Sequence, residues 1–214
     1  MPRSQKSINP FTVTYTLIAL NVIVYVLQLL DPFLIDSLAY TPVATLAEPW
    51  RMVTSAFAHS QSNYLHIAMN MFSLYVFGKA LEPMLGTGRF FSLYLYSIMG
   101  GSLGVLFLSS PVTWVVGASG AIFGLMAAYF VVMRSLGNRD PQLLGIIALN
   151  LFLGFIVQGV AWEAHVGGLI VGGLVALIYS RTRASNQRSN QVMLLSLLAV
   201  VLIGAAYVGV QLIR

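Results

Sequence analysis

Cysteine is absent from these 214 residues, so no disulfide framework holds the chain and no thiolate acts as nucleophile or metal ligand. The redox state of its compartment is left open by that absence. Charge is also scarce. Asp, Glu, Lys and Arg make up 8% of the chain, where a soluble domain carries about 25%. With 58% hydrophobic residues and a mean hydropathy of +0.84, this excludes an ordinary water-soluble domain and puts the chain in lipid. Acidic residues are fewest: Asp31, Asp36, Glu48, Glu82, Asp140 and Glu163. The net charge of +5 does not point to nucleic acid, because the basic residues are scattered between apolar runs. There is no His-Glu-x-x-His spacing for a zinc enzyme. Nor are there the internal repeats or intramembrane charge pairs expected of a transporter.

What remains is a series of seven apolar runs long enough to span a bilayer, near residues 12–30, 64–81, 90–108, 117–133, 142–158, 163–180 and 192–213. The first follows Arg3 and Lys6, but it is long and lacks a small-residue cleavage site, so it reads as an anchor and not a signal peptide. Residues 1–214 therefore read as one membrane domain with an all-α, polytopic bundle fold. Lys and Arg set its orientation. With a cytoplasmic N-terminus, the inner segments hold Arg3, Lys6, Lys79, Arg89, Arg134, Arg139, Arg181, Arg183 and Arg188, nine of the eleven basic residues. Only Arg51 and Arg214 fall outside. The expected setting is the plasma membrane of the cell, with lipid as surroundings.

This topology gives depth to the polar residues. The second, fourth and sixth runs all enter the bilayer from the outer side, and each begins with polar groups: His66 and Asn70, Ser119, and His165. Polar groups at that depth are costly and face a bundle interior or a water-filled cavity. Ser119 lies between glycines in Val116-Gly117-Ala118-Ser119-Gly120-Ala121-Ile122-Phe123-Gly124, at the start of its run. The first turn of a helix has N–H groups without intrahelical acceptors, and such groups bind oxyanions. A serine needs a base, and imidazole is the usual one near neutral pH. Gly120 and Gly124 on one run, and Gly168 and Gly172 on another, make small-residue faces that would let Ser119 and His165 meet. Taken singly, each face also reads as plain packing.

Asn63, His66, Asn70 and Ser73 fall on one face of the second run. That stripe reads either as bundle-stabilising or as His66 and Asn70 donating to charge on a substrate carbonyl. No acid sits where it would orient the base. Glu163 is two positions from His165 and on another side of its helix, so a Ser–His dyad fits better than a triad. Asn150 reads as an interhelical hydrogen-bonding group, and His59 as a loop residue without chemistry.

Gly117-Ala118-Ser119-Gly120, Ala164-His165-Val166-Gly167-Gly168-x-x-x-Gly172 and His66-x-x-x-Asn70 together resemble the rhomboid intramembrane serine proteases. Pro49-Trp50-Arg51 resembles the family's first-loop motif, and Glu82-x-x-x-Gly86-x-x-Arg89-Phe90 its second-to-third helix junction. The resemblance implies a six-helix rhomboid core, here followed by one C-terminal transmembrane helix. It also implies a Ser119–His165 dyad, an oxyanion hole from His66, Asn70 and the Ser119 backbone N–H, and support of the dyad by Gly117 and Phe123. Phe123 departs from the pattern, since many members carry Tyr there.

The expected function is an endopeptidase acting on transmembrane protein substrates, with no cofactor and no metal. The alternative is a catalytically silent rhomboid-like protein that binds transmembrane clients. Such relatives typically lack the serine or the histidine, and this chain has both. The loop over residues 31–63 is expected to brace the first and third runs in the outer leaflet, with Trp50 as an interfacial anchor and Arg51 bound to a lipid phosphate or a protein carbonyl. The fifth run, which lacks a glycine face, is the expected side of substrate access.

Overall fold

The computed structural model describes residues 11–138, 141–156 and 159–213. Arg3, Lys6, Arg139, Asp140 and Arg214 lie outside the described residues, as do residues 157–158 and the side chain of Asn150. Each expected run is a helix: α1 (Thr12–Leu30), α4 (Tyr64–Leu85), α5 (Thr87–Leu108), α6 (Ser119–Ser135), α7 (Pro141–Ile156), α8 (Trp162–Arg181) and α9 (Arg188–Ile213). Two short helices, α2 (Leu34–Leu38) and α3 (Arg51–Thr54), lie in the loop between α1 and α4. Helices α1, α5 and α8, and the stretch Ser185–Ile213 that contains α9, are long and apolar enough to cross a bilayer by length and composition. Helix α6 is apolar but only 17 residues long, and α4 interrupts its 22 residues with His66, Asn70, Lys79 and Glu82. The result is a polytopic helical membrane bundle.

Local chemistry sets the helix ends. The Asn63 side chain caps α4 by accepting the Leu65 N–H at 3.1 Å. Helix α4 runs to Leu85, beyond the expected end at 81, and α5 follows after Gly86 alone. A corner that tight needs a backbone that L side chains rarely adopt, and Gly86 has φ +82. Glu82, 1% exposed in the last turn of α4, then does the capping that Phe11 cannot do for α1. Its carboxyl oxygens accept the N–H groups of Val13 (2.9 Å) and Thr14 (2.8 Å) and the Thr14 hydroxyl (2.6 Å). An acceptor at a helix N-terminus satisfies orphan donors and complements the dipole. This is the physical content of the Glu82–Gly86 junction.

Glycine decides how the centre packs. Helices α5, α6 and α8 form it, and α8 uses two adjacent glycine faces. A Cβ on Gly168 would run into the backbone of Gly120, and one on Gly172 into that of Gly124, so the small faces read in the sequence are the α6–α8 contact. The second face was not read in the sequence: Gly167 and Glu163 of α8 lie backbone to backbone against Gly100 and Gly104 of α5. Around these seams Phe90, Leu93, Tyr94, Leu125 and Val175 are buried completely. Helix α9 joins from outside, where Gly209 meets Leu106 and Phe107. Its first turns are tied down by Gln191, which accepts from Arg89 Nε (3.0 Å) and donates to the Thr182 hydroxyl (2.8 Å).

The 31–63 loop is fastened as well as folded. Tyr40 and Val115 form an isolated antiparallel bridge, with N–H to O distances of 3.0 and 2.9 Å. The Ser102 hydroxyl of α5 donates to Met52 O at 2.6 Å. Arg51 takes the protein carbonyl expected for it, Ala39 O at 3.1 Å, and also pairs with Glu48.

Candidate active site

The polar residues of interest occupy the first two turns of α4 and the first turns of α6 and α8, and these three helix starts meet. Ser119 is the first residue of α6. The chain reaches it through Gly117, whose φ of +121 turns the backbone and whose N–H donates to Ser55 O at 2.9 Å. The first intrahelical bond of the α6 turn is Ile122 N–H to Ala118 O at 3.0 Å. The N–H groups of Ser119, Gly120 and Ala121 precede it and have no intrahelical acceptor.

Across the α6–α8 seam, His165 Nε2 stands 2.9 Å from Ser119 Oγ. The close approach follows from the Gly168–Gly120 contact one turn further along, where any larger residue would hold the helices apart. His165 is 5% exposed, and its ring lies on that of Phe123, with centroids 4.1 Å apart and planes at 12°. Its Nδ1 has no hydrogen-bond partner among the described residues. No described acid is placed to supply one, since Glu82 caps α1 and Glu48 pairs with Arg51. Gly154 of α7 passes beside that nitrogen, at 3.3 Å from where a Cβ would stand.

His66 and Asn70 face the same point from α4. A Cβ on Gly117 would lie 2.6 Å from His66 Nε2 and 3.9 Å from Asn70 Nδ2, so both groups border the space in front of the Ser119 turn. Asn70 is held by its own helix, donating one amide hydrogen to His66 O at 2.8 Å and keeping the second. His66 Nδ1 accepts the Ser60 N–H at 3.3 Å. A neutral imidazole with one accepting nitrogen carries its proton on the other. The proton of His66 is therefore on Nε2, the atom nearest Gly117.

Next to the Ser119 turn is a small open pocket, bordered by Tyr40, Ser55, Ser102, Gly117, Gly120 and Ala164 among others. Tyr40, in the loop, shares a 2.8 Å hydrogen bond with Thr45 Oγ1. Burial outweighs that bond and pushes the phenol up to about 12, so this wall is neutral.

Sequence reasoning missed the neighbours of His66. His59 lies in the loop, as expected, but it is 0% exposed there, with its ring 5.1 Å from that of His66. Gln28 of α1, also 0% exposed, bonds to the His59 backbone. The signal was available, since Thr14, Asn21 and Gln28 recur every seven residues and are all fully buried on one face of α1.

Comparison with known proteins agrees with this architecture. A family model described as the rhomboid domain matches residues 46–182. Rhomboid protease GluP of Bacillus subtilis is 36% identical over 173 residues, covering 77% of this chain and 32% of that protein. Putative rhomboid protease YdcA of the same organism is 34% identical over 137 residues, 61% of this chain and 67% of that protein. RHOMBOID-like protein 6, mitochondrial, of Arabidopsis thaliana is 37% identical over 139 residues, 61% of this chain and 44% of that protein. The chain thus spans well under half the length of some curated relatives that it matches. Since the family model takes in more than half of its residues, with α4, α5, α6 and α8 all inside, the chain belongs to the rhomboid family.

Proposed function

We propose that this chain is an intramembrane serine endopeptidase that hydrolyses peptide bonds in or near transmembrane segments of other membrane proteins, using Ser119 as nucleophile and His165 as base. The observation that carries the reading is the 2.9 Å approach of His165 Nε2 to Ser119 Oγ at the common end of α6 and α8. Nε2 takes the hydroxyl proton as Oγ bonds to the substrate carbonyl carbon. Charge then moves to the carbonyl oxygen, where His66 Nε2–H, Asn70 Nδ2–H and the Ser119 N–H donate to it. On collapse the C–N bond breaks, the imidazolium protonates the leaving amine, and an acyl-serine remains. Water attacks that ester while His165 takes its proton, and the second collapse returns the proton to Ser119 Oγ and frees the acid. Phe123 holds the imidazole flat in place of an orienting acid, and Gly117 keeps the oxyanion space open.

A substrate helix must unwind locally to expose a carbonyl, because a helix hides its carbonyls in hydrogen bonds. The glycine and alanine borders of the cavity beside Ser119 suit a small side chain at the exposed bond. Access is lateral, past α7. That helix meets the bundle through a small apolar cluster of Ile147 and Leu151 with Phe123 and Met126, and a Cβ added at its Gly145 would meet nothing within 4 Å. The site opens to the outer side of the plasma membrane, with the N-terminus in the cytoplasm, as the nine-to-two division of basic residues supports.

Detergent-purified protein tests the assignment. Wild type is expected to react with a fluorophosphonate probe and to cleave a single-span model substrate, while Ser119→Ala inserts and folds but does neither. A folded wild type that neither reacts with the probe nor cleaves the substrate would favour the client-binding alternative, and equal labelling or turnover in Ser119→Ala would overturn Ser119 as nucleophile.

A further inference from the structure

Gln28 lies near the end of α1, on a helix that otherwise presents apolar residues to lipid, and its side chain is fully buried. The primary amide clamps one residue in both directions. Nε2 donates to His59 O at 3.1 Å, and Oε1 accepts the His59 N–H at 3.0 Å. The Gln28 carbonyl in turn accepts from the side-chain amide of Gln61, so residues 59 to 61 are held against α1 at two points. Between those points is Ser60, whose N–H donates to His66 Nδ1 at 3.3 Å. The clamp therefore fixes the one hydrogen bond that leaves the His66 proton on Nε2, and the buried His59 ring, 5.1 Å away, limits how His66 can tilt. At the far end of this relay, Nε2 borders Gly117 and the Ser119 turn.

We propose that Gln28 is a positioning residue for the oxyanion donor: by holding residues 59 to 61 on α1, it sets the tautomer and direction of His66. This rests on the reading of Ser119 as nucleophile and His66 as oxyanion donor. Gln28 touches no substrate and acts through another side chain. A purely structural buried amide would have the same bonds, so the test must separate the two roles.

A double-mutant cycle on kcat does so, with full-length protein and a single-span model substrate, measured below each variant's unfolding midpoint. Gln28→Met keeps the length of the side chain and removes both hydrogen bonds. The expected result is a fall in kcat of about 10- to 100-fold, less than or equal to the loss of a whole oxyanion donor, with KM within about threefold. In the His66→Ala background the same substitution is expected to cause no further loss, because the group it positions is gone. An equal loss in both backgrounds, a change in KM alone, or no change in kcat overturns the proposal. Should Gln28→Met not fold, the cycle is run with Gln28→Glu. The protonated carboxyl has the same one donor and one acceptor as the amide side that faces His59. The rate of Gln28→Glu relative to the matching Gln28 protein at the same pH is expected to be mostly retained where the carboxyl is protonated and to fall as it ionises, only where His66 is present; the same pH dependence of that ratio in both backgrounds overturns the proposal. Ser119→Ala is assayed alongside. Turnover there sinks the reading of the site itself, whereas additive Gln28 and His66 effects sink only the relay.

Discussion

A methyl group at Gly117 would meet two separate obstacles, and together they give a measurable prediction. The first is the backbone: φ is +121, where an L side chain is strained by about 1–3 kcal/mol. The second is His66. A Cβ would stand 2.6 Å from Nε2 and 2.8 Å from Cε1. Ordinary contact needs about 3.5 Å, so the imidazole must retreat by roughly 0.8 Å. A misplacement near 1 Å costs about 100-fold in rate, and loss of one oxyanion donor costs about 10²–10³-fold. Gly117→Ala is therefore expected to lower kcat for a single-span substrate by about 100-fold and to lower the unfolding midpoint modestly. Gly86→Ala is the control. It carries the same kind of strain, with φ +82, but a Cβ there meets nothing within 4 Å and lies far from Ser119. It is expected to lose stability without losing kcat at temperatures where it is folded. If Gly117→Ala keeps kcat within threefold of wild type, or if Gly86→Ala loses as much, His66 is not acting from beside Gly117 and the site is drawn wrongly.

Phe123→Leu is expected to keep the fold and lose about 2- to 30-fold in kcat, the equivalent of a cation–π contact of about 0.5–2 kcal/mol, while Phe123→Tyr keeps most of the rate; a Leu variant as fast as wild type removes the stacked ring from the mechanism. Glu82→Gln leaves one oxygen for three donors and turns an NH₂ toward Thr14, so equilibrium unfolding in detergent is expected to show a loss of about 1.5–3 kcal/mol with kcat unchanged. No loss of stability would mean that α1 is not capped from α4. Because the chain has no cysteine of its own, single cysteines report topology cleanly. Ser37→Cys is expected to react with an impermeant maleimide on intact cells and Ser185→Cys only after permeabilisation, and the opposite pattern inverts the bundle.

The sequence was most informative where one physical cause dominates. Seven apolar runs became seven helices because a backbone in lipid has little choice but to satisfy itself along the chain. The expected meeting of the 120/124 and 168/172 faces is the α6–α8 contact, since glycine pairs at that spacing have few other uses in a bilayer. The α5 face, Gly100 and Gly104, has the same spacing and was passed over, because no chemistry drew attention to it. Boundaries were less legible. Nothing in the hydropathy of 82–89 shows that α4 and α5 nearly touch end to end; that depends on Gly86 turning the chain and on Glu82 being used by a different helix.

The least legible part was the support for the site, and the reason is geometric. Counting spans gives the depth of a residue, because alternate runs enter from the same side, and depth alone gathered Ser119, His165, His66 and Asn70. Counting cannot give lateral neighbours. Gln28 is near the end of the first run, on the outer side by the same count, yet only the 31-residue separation closed by the His59 bonds reveals what it holds. The loop shows the same limit: Tyr40 with Val115, and Ser55 with Gly117, join segments that no periodicity relates. These contacts converge on the segment from Val115 to Gly117, just before Ser119, and on the His66 ring. A hydroxyl and an imidazole can be put at one depth by apolar patterning and glycine faces, but the space in front of them is shaped by the loop. Variation in residues 31–63 is thus expected to tune turnover even where Ser119 and His165 are untouched, and Gln28, outside that loop and inside its anchor, is where the two levels of organisation join.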